Sequence, residues 1–163
     1  MSFVSPNEAV VVRAAEAEIV GGESTTVRLL ADASAIGGAF SSQRVTLATG
    51  ADGAVPHYHA TATELFYVLA GRLQVLAGKD VVTAGEGDLL AVPPNMAHAF
   101  GAAPGAPADV LIVITPGVER FDYFRLLARL GAGEATLDEL LESQDRFDNH
   151  FLDSAEWRQA RSG

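Results

Sequence analysis

Apolar and polar residues alternate in short runs over the first two thirds of the chain, and the period then changes. Residues 10–13 and 25–30 read as early strands with Gly21-Gly22 between them, and the small, Gly-bearing stretch 31–39 reads as a loop. Residues 41–48 alternate and predict a strand closed by Gly50-Ala51-Asp52-Gly53. Residues 64–69 and 73–76 are apolar and aromatic, and Ala70-Gly71 between them predicts a tight hairpin turn. The second of these runs then meets Val81-Val82 across Gly78-Lys79. The turn at 84–88 leads into residues 89–92, which Pro93-Pro94 terminates. Residues 96–100 form a short strand and 110–114 a fully apolar one. Many short strands at even spacing predict an all-β fold, an antiparallel barrel that leaves few exposed edges.

After Pro116-Gly117 the period shifts from two to about 3.6. Phe121, Phe124, Leu127 and Leu130 share one side of a helix that Gly131 ends. Thr136 to Glu139 spells a capping box opening a second helix, with Leu137, Leu140, Leu141, Gln144 and Phe147 on one face. Trp157 sits in a third short segment. These helices are expected to cover apolar barrel surface; alternatively they close one mouth of the barrel and form part of a pocket wall. The whole, residues 1–163, reads as one domain with the barrel at about 9–116 and the helical extension at about 118–160.

Composition narrows the function. Eleven basic against 21 acidic side chains leave a formal charge of −10, which repels nucleic acid and anionic membrane surfaces. With no Cys, thiolate metal sites and disulfides are excluded. The first eight residues lack a basic region followed by an apolar run, and no stretch reaches ~18 uninterrupted apolar residues. A cytoplasmic location is the expectation.

Only four histidines occur, and three fall into one arrangement. His57 and His59 are two apart on an extended segment, so both imidazoles point to the same face. Glu64 stands at the head of the apolar run Leu65-Phe66-Tyr67-Val68-Leu69, where an unpaired buried carboxylate is costly and a metal-bound one is not. His98 follows a Pro-bearing turn, and Phe100 shares its face. His57, His59, Glu64 and His98 are therefore the expected ligands of one divalent transition metal ion. Three nitrogens and one carboxylate oxygen suit Ni, Fe, Mn, Co, Cu or Zn and leave about two coordination positions open. His150 has no partner at ligand spacing and is expected on a surface helix.

These residues resemble the two motifs of the cupin family. The first, Gly, His-x-His, Glu, Gly, reads here Gly50, His57-Tyr58-His59, Glu64, Gly71. The second, Gly, Pro, Gly, His, Asn, reads Gly87, Pro93-Pro94-Asn95-Met96-Ala97-His98. Three departures leave the ligands intact. Ala51 stands at the usual place of the opening Gly, Asn95 replaces a Gly, and Ala102 stands where the family often has Asn. Asn tolerates left-handed backbone. The resemblance covers residues 41–115 and implies a six- to eight-strand jelly-roll barrel and the four ligand roles. The run 87–100, with the tail Pro116-Gly117, Phe121 to Phe124, Arg146-Phe147-Asp148 through Phe151 and Trp157, is further similar to single-domain bacterial quercetinases. Those enzymes open the flavonol heterocycle with dioxygen and release carbon monoxide. That similarity implies a small-molecule substrate, O2 as co-substrate and a homodimer.

Three function classes follow. In a dioxygenase, the substrate's enolate oxygen would bind the metal, Glu64 would take the hydroxyl proton, and Phe66 and Phe100 would flank the substrate. A metal-dependent isomerase or cyclase of a polyketide-like intermediate would use the same ligands without oxygen. A non-catalytic module would only bind a small molecule.

Overall fold

One strand organises the molecule. The computed structural model describes residues 7–163; residues 1–6, part of the stretch read for a targeting segment, lie outside it. The strands are β1 (Ile19–Gly21), β2 (Thr25–Ala31), β3 (Ser41–Leu47), β4 (Asp52–Tyr58), β5 (Thr63–Ala77), β6 (Asp80–Gly85), β7 (Leu89–Val92), β8 (His98–Ala102), β9 (Ala108–Thr115) and β10 (His150–Phe151). Their order is β1-β2-β3-β9-β5-β8-β4-β10, with β6 and β7 also paired to β5. The first half of β5 lies between β9 and β7, and its second half between β8 and β6. The 15-residue β5 thus runs through both sheets of a curled antiparallel half-barrel.

The expected hairpin at Ala70-Gly71 is therefore not a turn. Register shifts between Val68 and Ala70, where one extra residue enters β5 opposite β9. Before the shift the buried positions are Glu64, Phe66 and Val68; after it they include Leu73 and Val75. An extra residue moves every later side chain to the other face, so the bulge is what carries the strand from one sheet to the next. Gly71 sits at φ +76°, and a Cβ there would lie 2.0 Å from the Pro107 carbonyl oxygen. The chain bends against residues 107–108 instead of reversing.

Residues 10–13 also differ from expectation: they form no strand, and Val11 is 65% exposed. The edge of β2 is taken by β1, leaving that run no ladder to join. The strand expected at 96–100 starts later, at His98, because Asn95 adopts φ 67° and holds the chain in a turn. The Gly-to-Asn departure thus falls where left-handed backbone is needed.

Leu29, Val45, Phe66, Val68, Val75, Val110 and Ile112 fill the barrel. Beyond β9 come α1 (Phe121–Gly131), α2 (Leu137–Glu142), α3 (Gln144–Phe147) and α4 (Ala155–Arg161). Thr136 Oγ1 caps α2 by accepting from the Glu139 N–H at 3.2 Å. The second helix breaks at Ser143, so its expected face is split: Leu140 and Phe147 are buried, whereas Leu137 and Leu141 are exposed. Trp157 on α4 packs on Leu76 and Ala99. Among the described residues no helix is long and apolar enough to cross a membrane.

Candidate metal centre and its cavity

Strand pairing assembles the centre. His57 near the end of β4 is the register partner of His98 at the start of β8, and their rings lie 4.2 Å apart. His59 follows one residue past β4, and Glu64 is the second residue of β5. All four side chains are buried, and their candidate ligand atoms lie within 4.8 Å of one another.

Each imidazole is oriented by the same device. Nδ1–H donates to a backbone carbonyl: His57 to Val55 at 2.7 Å, His98 to Met96 at 2.9 Å, His59 to Asp148 at 2.7 Å. This turns every Nε2 inward. Glu64 Oε2 lies 2.9 Å from His59 Nε2 and 2.6 Å from His98 Nε2, with His57 Nε2 at 4.0 Å. Nitrogen lone pairs and a carboxylate oxygen at such separations repel unless a cation or proton lies between them. The donor set fits a divalent transition metal.

The electrostatics agree. Burial drives the His57 imidazolium well below the usual histidine range, and neighbouring His98 adds to this. Burial alone would raise the Glu64 carboxyl, but His98 and His59 outweigh it and hold the group well below the ordinary carboxylate range. Burial opposes a proton on His98, yet the adjacent Glu64 raises its affinity overall. His57 is thus neutral and Glu64 ionised near neutral pH, the forms that bind metal.

Asp148, to which the sequence reading gave no role, holds this arrangement from outside. It adopts φ 49°, which turns its carbonyl toward His59. Its carboxylate accepts from the N–H groups of Ala60 at 2.8 Å and Thr61 at 3.1 Å and from the Thr61 hydroxyl at 3.0 Å. Burial raises this carboxyl, but those donors prevail and lower it. His150, expected on a surface helix, is instead on β10 opposite Tyr58, stacked on that ring at 4.9 Å, with Nε2 3.0 Å from Asp148 Oδ1. The extra strand pairing overrides any helical period there.

His57 and Glu64 open onto a cavity of about 650 Å³. Phe100, Val45 and Val27 line the barrel side, and Tyr123, Phe124 and Leu127 of α1 line the other. The C-terminal helices therefore do close a mouth of the barrel. Phe66 lies behind this wall, 1% exposed and 5.5 Å from the Phe100 ring. Arg120, Asn149 and Gln43 also reach the cavity. The sequence reading missed these three because isolated polar residues carry no spacing signal.

Residues 43–114 match the family described as Cupin domain. No curated protein matches the chain in sequence. Similar solved structures include the Streptomyces nucleoside dehydratase Pac13, at 16% identity over 71% of this chain and 88% of that one, TM-score 0.56. The polyketide cyclase RemF from Streptomyces resistomycificus is 21% identical over 67% of this chain and 80% of that one, TM-score 0.55. A predicted oxalate decarboxylase from Thermotoga maritima is 23% identical over 65% of this chain and 98% of that one, TM-score 0.56. The chain folds as the jelly roll that these structures share, and residues 43–114 carry the match to the cupin domain.

Proposed function

We propose that the protein is a metal-dependent enzyme acting on an enolisable, chelating aromatic small molecule, a flavonol-like substrate opened with O2. One observation carries this reading: of four clustered residues suited to one divalent metal, His57 and Glu64 open onto a largely apolar cavity of about 650 Å³. That volume suits a substrate of two or three fused or linked rings. Bound there, a transition metal would supply Lewis acidity to an enolate oxygen and a site for oxygen chemistry. Glu64 is ionised, and both histidine contacts fall on Oε2, which leaves Oε1 to accept the substrate's hydroxyl proton. Phe100 and the α1 aromatics would hold the ring system flat and keep water out. The similarity of residues 87–100 to bacterial quercetinases is what favours flavonol over other chelators.

The test is oxygen uptake with a flavonol on protein loaded in turn with Ni, Co, Mn and Fe, with metal content measured beside it. Bound metal without uptake in any form would sink the reaction while leaving the metal site intact. A second reading, metal-assisted cyclisation or dehydration without oxygen, is favoured by the fold shared with a polyketide cyclase and a nucleoside dehydratase. Turnover that persists without air selects it.

A further inference from the structure

Arg120 is 4% exposed, and its guanidinium reaches no carboxylate at ion-pair distance among the described residues. Nη1–H donates to the Phe147 carbonyl at 3.1 Å, and Nη2–H to Asn149 Oδ1 at a long 3.3 Å. The carbon of the guanidinium lies 4.2 Å from the centre of the Tyr123 ring and 5.4 Å from that of Phe124. Nε is buried without a hydrogen-bond partner, as are Nδ2 of Asn149 and Oε1 of Gln43. Asp32 Oδ1 accepts from the Arg120 backbone N–H at 2.6 Å, not from the side chain.

A buried cation without an anion is strongly disfavoured, and neutral acceptors with two ring faces offset only part of that. Burial accordingly pulls the guanidinium's proton affinity down, though arginine remains charged. Arg120, Asn149 and Gln43 line the same cavity as His57 and Glu64. The cavity thus has a second polar group beside the candidate metal ligands, in an otherwise apolar wall.

We infer that Arg120, with the Asn149 amide, binds an anionic oxygen of the ligand, a carboxylate or a phenolate, that is not a metal-bound one. This rests on the reading of the cavity as a site for an aromatic small molecule. Nε–H and Asn149 Nδ2–H, both buried without a partner, are the donors that a small side-chain shift would present to that oxygen. A ligand held at both places is fixed in orientation: its chelating oxygens cannot exchange places with its anionic group.

The probes are 2-naphthoate and 2-naphthamide, equal in shape and different in charge, titrated by calorimetry into metal-loaded protein. Wild type is expected to bind the carboxylate about tenfold or more tighter. Arg120→Met brings the ratio near one. Because Arg120 also holds the Phe147 carbonyl, this variant can fail to fold. Asn149→Asp then decides the matter, since it gives the guanidinium an internal carboxylate and should remove the preference with the circular dichroism spectrum unchanged. A purely structural Arg120 would alter both affinities together and leave the ratio alone. The preference must also survive in His59→Ala, which lacks metal. The inference is overturned if wild type binds neither probe, binds both equally, keeps its preference in Asn149→Asp, or loses it in His59→Ala. Absence of flavonol turnover would count against the proposed reaction and leave the ratio untouched.

Discussion

Two buried charges sit in the walls of one cavity, and they are treated differently. Glu64 is surrounded by three imidazoles whose Nδ1–H groups are each anchored to a carbonyl. Arg120 is anchored through two of its nitrogens to neutral oxygens and keeps Nε without a partner. The first group is complete once a cation sits among its donors. The second is complete only when an anion arrives. A cage of oriented donors marks a centre built for a resident ion; a buried donor left without a partner marks a place for a ligand that comes and goes.

The contrast can be broken most directly at the metal pole. His59→Ala removes one ligand and one anchored imidazole, and metal content by elemental analysis is expected to fall from about one ion per chain to near zero. Retention of a full equivalent would show that the four residues are not the site.

The anchoring is tested next. Asp148→Ala frees residues 60–61 from their carboxylate, and metal affinity should fall roughly 10- to 100-fold in competition with a chelator. The same residue has a pH signature. Its carboxyl is lowered from an ordinary value of 3.8, so it contributes stability above that pH and loses it as the pH falls through the lower folded value. The stability gap between wild type and Asp148→Ala in urea should therefore be widest above pH ~4 and close in stronger acid. A gap that widens with acid would contradict the assignment.

A third test concerns the strand that carries Glu64. Gly71→Ala places a Cβ against the Pro107 carbonyl in a left-handed residue, and should destabilise the protein by about 1–3 kcal/mol in urea unfolding. Asp109→Ala supplies the smallest effect. Its carboxylate receives Arg44 in a bidentate, part-exposed pair between β9 and β3, and neither residue lines the cavity. Removal should cost about 1 kcal/mol or less and leave metal content unchanged.

Much of the centre was legible because its signal is local. His57 and His59 share a face by period two, and a carboxylate opening an apolar strand asks for a partner. The Pro93-Pro94-Asn95 turn announced the start of the strand bearing His98, and Asn95 does adopt the left-handed conformation. Other local signals misled. Gly71 looks like a turn residue in sequence; that it serves a bulge depends on the partner strand β9 being one residue out of step. The run at residues 10–12 is apolar enough for a strand, but a strand also needs an unpaired edge, and β1 occupies it.

The sequence by itself determined the periods, the turns and which side chains could ligate a metal, since each depends on residues within a few positions of one another. The tertiary structure alone decided that β5 spans both sheets, that α1 closes the cavity, and that Asp148 braces His59 across 89 positions. It also decided that Arg120 and Asn149, 29 positions apart, meet in the same wall as Glu64. Those facts concern which groups share a buried volume and which remain unpaired there. Burial and pairing are properties of the folded surface, and no spacing along the chain encodes them.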